Sequence, residues 1–416
     1  MSVKLDVADL SESPGFKERS YVSLREAKMP PNWLDAELLA PCVAGVATTT
    51  KIFTGRVNWV EGGCLLAISI SHAAFDAQGA FTVIKYWAQL CQNSENLSEL
   101  RSSPISQSRE TKVKTGANPL LIQTMPSPRV AFDNLKLRPE LWTFLGLHFE
   151  DNLAPATSTH SLPTCIPAAA KAIPGDQTRT RTCIFSFSDR NSAALKAAAT
   201  PINGKDWIST KDAYTAHIWT SLMRARFIDK DESRLIGELD EETHKLLSSV
   251  SVAIDGRTLP GCGFPTSRIN NTVYCCQTQL PLSIVLTSDA LPTAAGAIRQ
   301  NIEAMKSNQD LIDDANALAA SIPDVGHLSW VFKDFLNRDL VTTSWTDLPF
   351  YDLDFGPALG NPEFVRIPRD QFAGLCCMLP RRPNGDIEVI INARENEMGR
   401  LFDDTNFLKY TKLVCE

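Results

Sequence analysis

Long apolar runs are missing from this chain. The longest near the start, Cys64 to Ile70, is strand-sized and far below the ~20 residues a membrane-spanning helix needs. The opening MSVKLDVADLSESPGFKERS lacks the apolar core of a secretory signal. A cytoplasmic location with no membrane partner is therefore expected. Basic residues are also in deficit. Lys and Arg number 41 against 48 Asp and Glu, a net charge of −7. That balance argues against nucleic acid as a partner. No H-E-x-x-H, C-x-x-C or paired Cys/His set occurs, so no metal site is expected. PGCGFP lacks the third glycine of a dinucleotide motif and the lysine of a phosphate loop. There is no G-x-S-x-G elbow to supply a serine nucleophile. The 11 cysteines are an odd number, with neighbours at Cys275-Cys276 and Cys376-Cys377. In a reducing compartment these are expected to be buried thiols that pack as small hydrophobes.

What is present is an ordinary globular mixture, 44% hydrophobic and 21% charged. The 416 residues exceed the ~250–300 at which a single core stops growing, so two domains are expected. Residues 98–180 are rich in Ser, Thr and Pro and punctuated by Pro, which divides the chain. The expected division is a first domain over residues 1–150, a crossover over 151–180 and a second domain over 181–416. The first sixty residues read as loops and short strands. CLLAISISH reads as a strand buried on both faces, and GAFTVIKYWAQLCQ as an amphipathic helix carrying Phe81, Ile84, Trp87, Ala88 and Cys91 on one side. Later, RTCIFSFS, SVAIDGR, NTVYCCQTQL, VTTSW, the DLDFG segment, GLCCMLP and DIEVIIN read as strands. STKDAYTAHIWTSLMRAR reads as a helix capped by Ser209 or Thr210, with Asp212 in its first turn. Alternation of this kind specifies a mixed α/β chain.

Ser71-His72-Ala73-Ala74-Phe75-Asp76 joins the first strand to its helix, a place where chemistry tends to sit. Acyl transfer from a thioester to an alcohol needs only a base that takes the hydroxyl proton as the oxygen attacks. Histidine suits this near neutral pH. Asp76, four residues on, can orient the ring or brace the loop through an arginine. On spacing alone the bland reading, a loop histidine in its ordinary place, outweighs the catalytic one. Arg257 and Arg268 follow strand-like segments and are candidates to pair with buried carboxylates as structural supports. Asp354, in Asp354-Phe355-Gly356-Pro357, reads first as a turn.

Taken together, these segments resemble a family. SISHAAFDAQG is similar to the HxxxDG motif of BAHD acyltransferases. FSFSDRNSAALKAAA, STKDAYTAHIWTSLMRAR, SVAIDGRTLP, TTSWTDLPFYDLDFG and GDIEVIINARENEMGRLFDD each resemble a block of that family, in its order, from residue 50 to the C-terminus. The long middle segment and DFGPALGNPEFVRIP resemble its fungal branch, which includes trichothecene 3-O-acetyltransferase-like enzymes. The resemblance implies two chloramphenicol-acetyltransferase-like domains with a channel between them. It implies an acyl-CoA-dependent O-acyltransferase, with acetyl the expected acyl group, acting directly on a hydroxyl of a specialised metabolite. It implies a monomer with no permanent cofactor and acyl-CoA as cosubstrate. It assigns His72 as general base and Asp76 as a structural acid. Asp354 matches an aspartate read as structural and also as catalytic. Ser209, Thr210 and Asp212 match a region on the CoA side.

Three departures stand out. Ala77 replaces the glycine after Asp76, a crowding problem if the backbone there needs φ > 0. The DFGWG tryptophan is gone, Pro357 standing in its place. His72 lies nearer the N-terminus than the family places it, so the opening strands and helix of the first domain are expected to be absent, leaving an exposed strand edge. These departures motivate a second reading, a non-catalytic binding protein that keeps the fold. A third, a carrier-dependent condensation-type enzyme, fits less well because Ser71 stands where a second histidine is usual.

Overall fold

The computed structural model describes residues 5–40, 52–72, 74–92, 128–149, 179–201, 207–228, 246–260, 265, 268–324, 327–331, 337–368 and 374–416. A small sheet in the order β1-β2-β3 is built from β1 (Leu5–Asp9), β2 (Phe53–Val60) and β3 (Gly63–Ile70). β2 and β3 form a hairpin, Phe53 opposite Ile70 and Val60 opposite Gly63. Gly62 closes it at φ +79°, a left-handed conformation free of steric cost only for glycine. β1 runs parallel to β2. Parallel pairing demands a crossover, and this one carries two short helices, α1 (Tyr21–Glu26) and α2 (Ala36–Leu39). The sequence pattern alone suggested only loops and strands there. Leu10, Phe16, Leu24, Met29, Leu34 and Leu39 close a small core beneath the crossover.

β3 is not buried on both faces. All eight of its residues are half-exposed, because among the described residues it pairs only with β2 and forms a sheet edge. An apolar strand of this length looks the same in sequence whether it is central or at an edge. After β3 the chain turns into helix α3 (Ala77–Gln92), which buries Phe81, Ile84 and Ala88 at the spacing of one helical face.

The strands that follow are β4 (Leu147–Phe149), β5 (Thr180–Phe187), β6 (Leu247–Asp255), β7 (Val273–Pro281), β8 (Leu328–Trp330), β9 (Asp339–Ser344), β10 (Leu375–Met378), β11 (Ile387–Arg394) and β12 (Lys412–Cys415). Seven of them make a mixed sheet in the order β12-β5-β11-β10-β9-β6-β7. β9 runs parallel to both β6 and β10, and the other pairs are antiparallel. The segment around DLDFG contributes no strand. Phe350–Asp352 is a single 3-10 turn. Asp354 Oδ1 then accepts from the Gly356 amide at 2.8 Å, a side-chain turn that replaces strand pairing.

The helix Thr210–Phe227 lies at the centre of the larger body, with Trp219 and Leu222 fully buried. It is buried on nearly every side, polar residues included. Several of its polar groups find partners inside. Trp219 Nε1 donates to Ser248 Oγ at 2.9 Å and Tyr214 Oη to Ser192 Oγ at 2.7 Å. His217 faces the Phe407 carbonyl through Nε2 at 3.3 Å, so Nε2 carries the proton, and its ring stacks on Phe407. Burial pushes this imidazole down from 6.5 to about 4. The unfolded chain therefore takes up a proton near pH 6.5 that the folded chain refuses until about pH 4. Folding stability present above pH 6.5 is lost as pH falls through that window, by up to ~1.4 kcal/mol per pH unit. Urea midpoints measured from pH 7 to pH 4 are expected to fall less steeply in His217→Gln than in the wild type.

Packing does not follow the division expected at residue 150. Phe132, Leu141, Trp142 and Phe144, assigned to the first domain, lie in the core of the second, and β4 pairs with β8. Phe144 stacks on Tyr274 with centroids 4.5 Å apart. Conversely, Leu348, Leu353 and Phe355 of the second domain pack with Phe81, Ile84 and Ala88 of α3, and Phe364 packs on the small N-terminal core. Arg366 ties the two bodies together. It donates to the Lys28 and Met29 carbonyls at 2.9 and 3.2 Å and to Glu388 at 2.7 Å. Chain order hides this exchange because each segment is apolar enough for either core. Residues 151–178 of the expected crossover lie outside the described residues.

Candidate active site

The end of β3 delivers Ser71 and His72 into a tight turn. Ser71 N donates to the Ile52 carbonyl at 2.9 Å, and the Ser71 carbonyl accepts from Ala74 N at 3.0 Å and Phe75 N at 3.1 Å. Phe75 is buried, anchoring the turn, while His72 is exposed. The imidazole is thus reachable from solvent on a loop whose backbone is fixed.

Asp76 faces the other way and is buried. Its Oδ1 accepts from Gly79 N at 2.8 Å and from Arg257 Nη2 at 3.1 Å; its Oδ2 accepts from Thr272 N at 2.7 Å and Arg257 Nη1 at 2.9 Å. Arg257 also donates to Asp255 at 2.8 Å, to the Arg268 carbonyl at 2.8 Å and to the Asn270 carbonyl at 2.6 Å. Burial works against this guanidinium, but the hydrogen bonds to Asp76 and Asp255 outweigh it and hold its pKa above the ordinary value. A bidentate, fully hydrogen-bonded pair is the geometry in which a buried ion pair persists. Arg257 comes from the turn after β6, so the pair joins the histidine loop to the larger sheet. Arg268 takes part through its main-chain carbonyl.

Gly79 marks a close approach in the same place. A Cβ built there would lie 2.1 Å from the Ile269 carbonyl oxygen, backbone that cannot move aside. Gly79→Ala is expected to cost roughly 1–3 kcal/mol in urea denaturation. Ala77→Gly, at the position where the motif usually has glycine, is expected to change stability by less than about 1 kcal/mol. Ala77 opens α3 and is not among the described non-glycine residues with positive φ. The departure at Ala77 therefore crowds nothing. Beside the position where the motif usually has tryptophan, Trp87 meets Phe355 edge-on with centroids 5.8 Å apart.

Asp354 is not brought to His72. Gly356 packs on the Cys91 carbonyl, 3.1 Å from its would-be Cβ, at the C-terminal end of α3, whereas His72 precedes the N-terminal end. Ala77 to Cys91 spans about 20 Å of helix axis. Asp354 instead lines a separate open hollow of about 540 Å³ with Gln92 and Asn361. Asp354, expected among the catalytic residues, thus lies at the opposite end of α3 from His72.

Ser209, Thr210 and Asp212 do come together, as a helix N-terminus. Asp212 N donates to Ser209 Oγ at 3.2 Å and Ser209 N to Asp212 Oδ2 at 2.6 Å, a capping box. Arg299 holds the same Asp212 oxygen at 2.6 and 2.8 Å. A buried carboxylate locked to an arginine cannot hold the phosphates of CoA, so Asp212 leaves that set. Ser209 and Thr210 remain half-exposed.

The most deeply buried described thiols are held protonated. All eight described cysteines are free, and burial pushes Cys275, Cys276 and Cys376 up to about 12, far from thiolate at neutral pH. No group of three potential metal ligands occurs among the described residues, and no described helix is long and apolar enough to cross a membrane. The residue missed in the sequence is Asn271, whose Nδ2 donates to the His72 carbonyl at 2.7 Å. The only available signal was an asparagine pair, Asn270-Asn271, just ahead of β7.

Comparison with known proteins shows the family of the chain. Residues 1–91 match the trichothecene 3-O-acetyltransferase-like N-terminal domain and residues 154–408 match the Transferase family. Eremophilane O-acetyltransferase of Penicillium roqueforti is 34% identical over 403 residues, 97% of this chain and 80% of its own length. Trichothecene 3-O-acetyltransferase of Fusarium sporotrichioides is 26% identical over 98% of this chain and 79% of its own. The crystal structure of the F. sporotrichioides enzyme TRI101 with coenzyme A and T-2 superposes with a TM-score of 0.71 at 21% identity, covering 99% of this chain and 82% of that one. The two matches lie one after the other along the chain. The chain belongs to the Transferase family of BAHD-type acyltransferases, in its trichothecene 3-O-acetyltransferase-like branch.

Proposed function

We propose that this acyltransferase moves an acetyl group from acetyl-CoA to a hydroxyl of a small terpenoid-type metabolite, with His72 as general base. The observation that carries the reading is an exposed imidazole on a turn clamped from both bodies by Asp76, Arg257 and Asn271. The neutral imidazole accepts the acceptor's hydroxyl proton as the oxygen attacks the thioester carbonyl. The C–S bond then breaks, and the imidazolium returns the proton to the departing CoA sulfur. No acyl-enzyme is needed, since the thioester is already activated. The relatives named for eremophilane and trichothecene acetylation support a multi-ring, hydroxylated acceptor. Ser209 and Thr210, half-exposed at the start of the helix Thr210–Phe227, are the residues placed on the CoA side in this reading. In this reading Asp354 braces the turn at the far end of α3. The chain acts as a monomer in the cytoplasm.

The test is direct: purified protein, acetyl-CoA and a panel of hydroxylated sesquiterpenoids, with thiol release and acetylated product followed together. Turnover on at least one acceptor is expected. Binding of CoA with no turnover on any member would turn the reading toward a non-catalytic relative.

A further inference from the structure

We infer that Asn271 is the positioning residue of the catalytic loop, setting the direction of the His72 imidazole through the His72 carbonyl. The inference rests on His72 being the base and adds a second element to its support. The Asp76–Arg257 pair holds the loop at its end. Asn271 holds it at the histidine itself, through Nδ2 on the His72 carbonyl at 2.7 Å. A carbonyl only accepts, so the amide must present its nitrogen, and the orientation of the Asn271 side chain is fixed by its partner.

The reach of Asn271 is fixed as well. The residue before it, Asn270, has its carbonyl held by Arg257 Nη2 at 2.6 Å. The residue after it, Thr272, donates its amide to Asp76 at 2.7 Å, and its carbonyl accepts from Gly256 N at 2.7 Å. Asn271 therefore projects from backbone pinned on both sides. On the other side of the contact, the Ser71 carbonyl is taken up inside the turn by Ala74 and Phe75, and the His72 carbonyl points out of it toward Asn271. That bond fixes the His72 peptide plane, and with it the direction of the Cα–Cβ bond that carries the imidazole. A displacement of about 1 Å at a reacting group costs on the order of 10²-fold in rate. The charged groups packed around the loop, Asp76, Asp255 and Arg257, are engaged with one another. Asn271 is a neutral strut outside that cluster.

The experiment compares Asn271→Ala, Asn271→Asp and His72→Ala in the full chain, with kcat, both KM values, melting temperature and the pH profile of kcat/KM. Asn271→Ala is expected to lower kcat about 10- to 100-fold. Both KM values, the melting temperature and the acid limb of the profile should stay in place. Asn271→Asp keeps the size but puts a carboxylate beside the loop. It stabilises the imidazolium, so the acid limb should move to higher pH by about one unit. A residue that merely filled space would move neither kcat alone nor the limb. If His72→Ala is inactive while both Asn271 variants match the wild type in kcat and profile, the positioning role is wrong and the base assignment stands. If His72→Ala retains wild-type turnover, the base assignment fails first.

Discussion

His72→Ala is expected to lower kcat by roughly 10²–10⁴-fold, the share a general base contributes. KM for acetyl-CoA should change little, and the melting temperature should not change at all. The two expectations come from different facts. The rate loss follows from the proposed chemistry: a hydroxyl is barely ionised at neutral pH, and the proposed base is His72, at the end of β3. The unchanged stability follows from exposure, since the His72 side chain lies outside the packed turn and only its backbone is in use. A variant that lost activity by unfolding would fail the second expectation. Single-turnover rates with acetyl-CoA bound, beside a thermal melt, separate the two outcomes. Wild-type turnover in His72→Ala would remove the mechanism outright.

Arg257→Met is expected to destabilise the protein by about 3–5 kcal/mol in urea denaturation and to depress kcat with His72 untouched. Removing one partner of a buried ion pair leaves an uncompensated charge, which is where the cost arises. Asp76 would keep its two amide donors, Gly79 and Thr272, and lose both guanidinium bonds. The Arg268 carbonyl would lose its bond to Arg257, and the Asn270 carbonyl would keep only Thr272 Oγ1 at 3.3 Å. The damage therefore spreads across the contact between the two bodies. Asp76→Asn should cost less, because Arg257 keeps Asp255 as a counter-charge and the substituted amide still offers one acceptor oxygen. An Arg257→Met variant with a wild-type urea midpoint would mean that the pair holds nothing in place.

Much of the larger body was legible because its elements state themselves locally. Ser209 followed three residues later by Asp212 announces the helix start, and the structure closes that box. The strand in DIEVIIN lies buried from Ile387 to Ala393, with Glu388 held there by Arg366. What could not be read were relations between distant segments. CLLAISIS contains nothing that tells an edge from a centre. DLDFG carries strand-like composition, yet Asp354 and the left-handed Gly356 turn it. His72 and Asp76 were visible as a motif, but the direction of each side chain depends on residues far along the chain, Arg257 and Asn271. Gly79 looked like any helical glycine until Ile269 was placed against it. Asp212 was misread for a related reason: nothing near it in sequence announces Arg299.

Leu348, Leu353, Phe355 and Phe364 belong by chain order to one body and pack on the other. Chimaeras built to exchange acceptor preference between relatives are therefore poorly cut at the long middle segment. A graft of residues 1–92 alone would bring an α3 face shaped for foreign counterparts of Leu348, Leu353 and Phe355. Transplanting both pieces together keeps the seam matched.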